Sequence, residues 1–214
     1  VSLPLVSCLM PTTESRQRFH ARAKAMFAAQ DWPNKELIVI DGPGTIGAKL
    51  NEGIRRSTGD ILINWDDDDW SAPDRIARQV GFLCDSGTAV VGLSELIFYA
   101  EGQSEGWAYT GDGGYAPGST HCYTREYVQH HPHQDMNEGG DALFFSEAAA
   151  LKQFAVQPAG ISLVACDHPG NTCPRRDHDM VFLYDHSPMW RKVPFHVFAS
   201  TVFPYRLKCD TSTE

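Results

Sequence analysis

Four aspartates in a row, Asp66, Asp67, Asp68 and Asp69, follow directly on the apolar run Ile61-Leu62-Ile63-Asn64-Trp65. Such a short run, set off by Gly59-Asp60, reads as a buried strand. Like charges at its end repel one another, so the fold must bring a counter-charge or water to them. A buried strand tipped with carboxylates delivers them to the sheet edge, where open α/β sheets hold their ligands. Clustered hard oxygens suit Mg²⁺ or Mn²⁺ carrying a phosphate ester. The competing reading is a solvated turn. Ordinary turns mix Gly, Asn or Ser with their acids, and this one does not.

The pattern around the tetrad fixes the fold class. Residues 5–10 form an apolar strand stopped by Pro11, and residues 16–30 a helix with Phe19, Ala23, Met26 and Phe27 on one face. A second buried strand over 36–40 ends at Asp41. A helix over 46–56 carries Ile46, Leu50 and Ile54, and a third, opened by Pro73, buries Ile76, Val80 and Leu83. Residues 89–91 are another short strand. This alternation predicts an α/β fold with a mostly parallel, doubly wound sheet flanked by helices. After Gly92 the alternation stops. Strands over 93–99, 107–110 and 120–124 form a smaller mixed second sheet. A helix begins near Asp141, and a late strand covers 161–165.

The chain has 214 residues, which suits one domain. It holds 27 acidic and 18 basic side chains, a net charge of -9, which makes general nucleic-acid binding a poor fit. No apolar run is long enough to span a bilayer, and residues 3–10 are too short for a signal core. The six cysteines form no CxxC pair. Cys8, Cys84, Cys122 and Cys166 lie in apolar runs and read as reduced core residues, which places the protein in the cytoplasm.

Gly42-Pro43-Gly44-Thr45-Ile46-Gly47 matches G-x-G-x-x-G between a strand and a helix, the context of a dinucleotide site. The rival reading is therefore an oxidoreductase using NAD(P) or FAD. Against it, a ribose needs one acid rather than four. The extra charges would also face a pyrophosphate without a metal, and the fingerprint belongs in the first βα turn rather than the second.

Taken together, several segments resemble the family-2 glycosyltransferases of GT-A fold. They are the first strand with Pro11-Thr12, the strand Glu36-Leu37-Ile38-Val39-Ile40-Asp41, and the helix Gly47-Ala48-Lys49-Leu50-Asn51-Glu52-Gly53-Ile54. Gly59 to Trp70 with its D-x-D and Pro73-Asp74-Arg75-Ile76 continue the match, and His168-Pro169-Gly170-Asn171-Thr172 resembles a late element of the family. The resemblance implies a GT-A domain over 1–176, with a nucleotide-binding half (1–92) and an acceptor half (93–176). Residues 177–214 would be an extension packed on it. It implies that Thr12 lines the nucleotide pocket, that Asp41 and Asn51 contact the base near Lys49, and that Asp66 reaches the ribose. Asp67 fills the middle of the D-x-D, Asp68 holds Mn²⁺ or Mg²⁺, and His168 completes the metal shell or touches the diphosphate. Asp141 is the implied general base of an inverting transfer from a nucleoside-diphosphate sugar, UDP favoured, to a hydroxyl of a glycan or other acceptor. Asp141 also reads as a helix cap. Two positions depart from the family pattern: Thr13-Glu14 replace an aromatic and Asn, and Gly140 replaces a common Glu. A GT-A domain that binds sugar nucleotides or glycans without turnover is the non-catalytic alternative.

Other segments are less specific. His130-His131-Pro132-His133 lacks the spacing of a helical zinc pair and reads as a metal-free loop near the acceptor side. Trp107, Tyr109 and Tyr115 offer faces for sugar stacking or cover for the second sheet. Arg175 and Arg176 could meet phosphate or lie in solvent, and the aromatics of the tail would pack over the sheet.

Overall fold

The computed structural model describes residues 2–100, 103–111, 115–158, 162–168, 170–171 and 189–194. Arg175, Arg176, Cys173, Cys209 and most of the 177–214 extension lie outside them. β1 (Val6–Pro11) leads through a 3-10 turn at Glu14–Arg16 into α1 (Gln17–Ala28), then β2 (Lys35–Ile40) and α2 (Ile46–Arg56). β3 (Ile61–Asn64) delivers the tetrad to β4 (Trp70–Ser71), and α3 (Arg75–Ser86) leads to β5 (Val90–Leu93). β6 (Glu95–Ala100), β7 (Glu105–Thr110), β8 (Cys122–Thr124), α4 (Arg125–His130) and α5 (Gly140–Ala150) follow. β9 (Phe154–Gln157), β10 (Leu163–Asp167) and β11 (Trp190–Pro194) end the described chain.

The first sheet has the order β2-β1-β3-β8-β5-β9 among the described residues. β1 runs parallel to β2 and β3, and β5 runs parallel to β9. β8 is the departure from the expected partition. It leaves the second sheet and inserts antiparallel between β3 and β5, tying the chain after Gly92 back into the first sheet. The second sheet runs β11-β7-β6-β10-β4. Its β11 comes from the C-terminal extension and pairs antiparallel with β7.

Side-chain alternation sorts the core into two layers. Val6, Cys8, Met10, Ile61, Ile63 and Trp65 face Ala23 and Met26 of α1 and Ile76, Val80 and Leu83 of α3. Leu9 and Leu62 face the other way, onto Leu50 and Ile54 of α2, Tyr127 of α4 and Phe144 of α5. Each such fully buried aliphatic side chain contributes about 1.5–3 kcal/mol of transfer free energy. Cys8 and Cys122 are buried as expected, but Cys84 is exposed on the outer side of α3 and Cys166 is only partly covered; all four are free thiols. No helix among the described residues is long and apolar enough to cross a membrane.

The parallel register places the site. Pro11 pairs with Ile40, so β1 and β2 end level, and Leu9 pairs with Asn64, so β3 stops two residues earlier beside them. Their next residues include Thr12, Asp41 and Asp66. The tetrad spans the short step from β3 in one sheet to β4 in the other, and so lies on the seam between the two sheets.

Candidate active site

The four aspartates have different partners. Asp67 is almost fully buried and accepts hydrogen bonds from Thr12 Oγ1 at 2.5 Å and Arg16 Nη2 at 2.6 Å. Asp69 accepts the Cys166 N–H of β10 at 3.0 Å, which ties the tetrad to the second sheet. Asp68 Oδ2 meets Arg16 Nη2 at 2.5 Å and His168 Nε2 at 3.0 Å. Asp66, Asp68 and Asp69 each bring a carboxylate oxygen within 4.8 Å of the others. Burial, reinforced by repulsion from Asp68 and Asp67, pushes the Asp66 carboxyl up to about 7. Burial, then Asp68 and Asp66, lifts Asp69 well above the usual carboxylate range. Hard oxygens clustered at this spacing, with their ionised forms disfavoured by one another, fit a divalent cation, whose charge would relieve both effects.

The counter-charge nearest the tetrad is Arg16. Burial alone would lower its pKa, but hydrogen bonding to Asp67 and the charges of Asp68 and Asp67 raise it above the ordinary arginine value. Behind the tetrad, fully buried Arg75 donates to Ser71 Oγ at 2.9 Å and to the carbonyls of Asn64 at 2.8 Å and Ser119 at 2.6 Å. Its guanidinium also lies over the Trp65 ring. One side chain thus joins the end of β3, β4 and the turn before β8.

Another part of the cleft is built by the turn at Gly118–Thr120 and the start of α5. Asp141 Oδ2 accepts the Tyr115 hydroxyl at 3.0 Å and the Gly118 N–H at 3.1 Å. Below it, the Tyr123 hydroxyl donates to Asn64 Oδ1 at 3.0 Å and receives His133 Nε2 at 3.1 Å, so that nitrogen carries the ring's hydrogen. Burial, then the neighbouring His121, pushes the His133 pKa down to about 3. Thr12, Arg16, Lys49, the tetrad, Tyr115, Gly118 and Asp141 all line one cleft of about 710 Å³.

The glycine fingerprint has a different use. The Thr45 hydroxyl caps α2 by accepting the Ala48 N–H at 3.1 Å. The Ile46 N–H donates to Asn137 Oδ1 at 3.0 Å and the Gly47 N–H to the Met136 carbonyl at 3.2 Å. The helix N-terminal donors that a pyrophosphate would need are therefore already engaged by the 134–137 loop. A Cβ on Gly47 would collide with the Gln134 carbonyl, so the glycine is required for this docking.

A family model described as glycosyl transferase family 2 matches residues 28–154, more than half of the chain. The chain belongs to glycosyl transferase family 2. No curated protein matches it. Among solved structures, S. aureus TarS bound to UDP-GlcNAc superposes with a TM-score of 0.64 at 15% identity, over 78% of this chain and 60% of that one. A mannosyltransferase, PcManGT, from Pyrobaculum calidifontis with GDP-Man and Mn²⁺ gives 0.56 at 15% identity, over 80% and 59%. Glucosyl-3-phosphoglycerate synthase from Mycobacterium tuberculosis with Mn²⁺ and UDP gives 0.55 at 15% identity, over 78% and 73%. The chain spans 37% of a longer TarS chain. These likenesses show the GT-A fold.

Within this family 2 fold, Thr12, Lys49, Asp66, Asp67, Asp68 and Asp141 come together in the cleft. Lys49 Nζ is turned onto the Thr12 carbonyl at 2.6 Å, and burial lowers its pKa. His168 touches Asp68 from behind the lining. Asp41 is exposed beside the cleft and accepts the Gly42 N–H at 2.7 Å. Asn51 is engaged elsewhere: its Nδ2 donates to the His133 carbonyl at 2.8 Å and its Oδ1 accepts the His133 N–H at 3.0 Å. Of the histidine run, His130 ends α4 and His133 is buried under Phe144. Tyr115 reaches the site, whereas Trp107 packs within the second sheet. Sequence reasoning missed Arg16 and Tyr115 as the partner of Asp141, and it named Asp69 within the tetrad without giving it a role of its own. The available signal for Arg16 was the run of cations Arg16, Arg18 and Arg22 at the turn from β1 into α1 and along the start of that helix.

Proposed function

We propose that the chain is a metal-dependent, inverting glycosyltransferase that takes its sugar from a nucleoside-diphosphate sugar and delivers it to a hydroxyl of a glycan or another acceptor. The observation that carries this reading is the cleft itself. A trio of carboxylates fit for a cation and Asp141, held by Tyr115 and the Gly118 N–H, line the same cleft.

Asp141 takes the proton from the acceptor hydroxyl, and that oxygen forms its new bond to the anomeric carbon. The bond from that carbon to the diphosphate oxygen breaks on the opposite side, and the diphosphate leaves with the electron pair. One displacement inverts the anomeric configuration. The Tyr115 and Gly118 hydrogen bonds fix Oδ2, and Oδ1 accepts the Ala142 N–H at 2.9 Å, so both carboxylate oxygens are oriented. Mn²⁺ or Mg²⁺, held by Asp68 with Asp66, Asp69 and His168 about it, would supply charge stabilisation to the departing diphosphate. Thr12, Asp41, Lys49 and Asp66 serve the nucleotide, and Asn51 serves it by fixing the His133 backbone at the floor of the cleft. Residues 1–92 form the nucleotide half and 93–176 the acceptor half. UDP is favoured because TarS and the phosphoglycerate synthase hold uridine nucleotides, while the mannosyltransferase holds GDP-Man. The free thiols fit a reducing cytoplasm.

The test is release of nucleoside diphosphate from UDP- and GDP-sugars in Mn²⁺. Slow, EDTA-sensitive release from a UDP-sugar is expected. Tight donor binding with no release, even with an acceptor library added, would leave a sugar-nucleotide-binding domain instead.

A further inference from the structure

Arg16 occupies the carboxylate that the metal reading needs. Its Nη2 lies 2.6 Å from Asp67 Oδ1 and 2.5 Å from Asp68 Oδ2. Its Nε donates to both Asp67 oxygens, at 3.0 and 3.1 Å, and its Nη1 donates to the Gly170 carbonyl at 2.9 Å. The contacts to Asp67 are bidentate and deep, because Asp67 is 1% exposed. The contact to Asp68 is made by a single nitrogen, Nη2, which also holds Asp67 Oδ1. That same Asp68 oxygen accepts His168. Arg16 therefore holds one partner firmly and another by one contact, with its guanidinium lining the cleft.

We infer that Arg16 is an exchangeable internal cation that competes with the divalent metal for Asp68 and, once displaced from it, turns that nitrogen to the diphosphate of the donor while keeping its grip on Asp67. This rests on the proposed metal and nucleotide reading of the cleft. Two consequences separate it from a merely structural salt bridge. A divalent cation alone must displace the guanidinium from Asp68, so metal should bind weakly without nucleotide. A nucleoside diphosphate gives the displaced N–H a new anionic acceptor, so metal and nucleotide should strengthen each other's binding. Such coupling would keep the site from holding metal in the absence of donor. The anchor on Gly170 adds a structural link, since the 168–171 turn carries both His168 and the carbonyl that Arg16 holds.

The experiment measures Mn²⁺ affinity by the loss of the free-ion paramagnetic resonance signal, with and without UDP, in the wild-type chain, Arg16→Met and Arg16→Lys. Circular dichroism checks that each is folded. In Arg16→Met, Mn²⁺ alone should bind about ten-fold more tightly, the worth of one charged hydrogen bond to the competing cation. The enhancement of Mn²⁺ affinity by UDP should shrink by a similar factor. Arg16→Lys, which keeps a charge but not the fork, should fall between the two and serves as the readout if the Met variant does not fold. Equal Mn²⁺ affinities in wild type and variants, with an unchanged UDP effect, would overturn the exchange while leaving the metal site standing. Failure of the wild type to bind Mn²⁺ even with UDP would overturn the metal reading and the exchange with it.

Discussion

The roles proposed for Asp141 and Asp68 rest on what surrounds them rather than on their chemistry alone. Asp141 is an acid at the start of α5, yet its carboxylate does not cap that helix in the usual way. The N-cap is Gly139, in the left-handed region at φ 75°, and Asp141 turns Oδ2 to the Tyr115 hydroxyl and the Gly118 N–H. Asp141→Asn keeps an oxygen for both hydrogen bonds but removes the proposed base. Donor affinity should stay within about two-fold while turnover falls by about 10²–10⁴-fold. Isothermal titration and a nucleoside-diphosphate release assay check the two halves, and full turnover in the variant would remove Asp141 from the chemistry. At this scale the sequence reveals acids well, because a run of four or an Asp after two glycines stands out in the chain. It conceals their partners. Arg16 and Asp67 are 51 positions apart, and nothing in a single sequence pairs them. Asn51 shows the converse: its motif position is legible, but its engagement with the His133 backbone depends on a loop 82 residues away.

Among the elements, α2 matches its expected bounds because its signals are local: a Thr cap, apolar residues four apart and a closing Ser-Thr-Gly. β4, α4 and β9 escape the sequence reading. β4 is a two-residue strand that exists only by pairing with β10. α4 has a single turn and a half, is capped by the Thr124 hydroxyl, and is masked by the histidine run that follows. β9 is only half-buried and has no alternation to betray it. The Gly42–Gly47 segment is the instructive case, since the same pattern serves either a pyrophosphate or a docking loop, and the occupied N–H groups decide for the loop. Gly47→Ala should therefore weaken the fold through its clash with the Gln134 backbone, by about 1–3 kcal/mol of overpacking. Urea denaturation measures this. The displaced 134–137 loop should also lower nucleotide affinity; unchanged stability would show that the contact is not tight.

For the whole molecule, the alternation of strand and helix reveals the first sheet, and the seam between the sheets explains why the acids can be buried. The insertion of β8 was not legible, because strand order depends on long-range pairing that local pattern does not encode. The buried groups of the seam also set opposing responses to acid. His133, its pKa depressed to about 3, stays neutral when folded but takes a proton when unfolded. Its share of stability is complete above about pH 6.5 and drains away as the pH falls. Asp66, raised to about 7, does the reverse, binding a proton in the fold that the unfolded chain releases until near pH 4. The two partly cancel, so the histidine shows itself by difference. Between pH 7 and 5, His133→Gln should escape about 2 kcal/mol of the wild-type loss, as read from urea unfolding at each pH. Parallel pH profiles would mean that His133 is not held neutral. The central claim, a cleft at the sheet seam that joins a divalent cation to a nucleoside diphosphate, is tested most directly by thermal unfolding of the wild type and Asp68→Asn with UDP, GDP or NAD⁺, each with and without Mn²⁺. A rise in Tm with UDP is expected only when Mn²⁺ is present, with no rise in Asp68→Asn. A rise with NAD⁺ that ignores both Mn²⁺ and the substitution would contradict it.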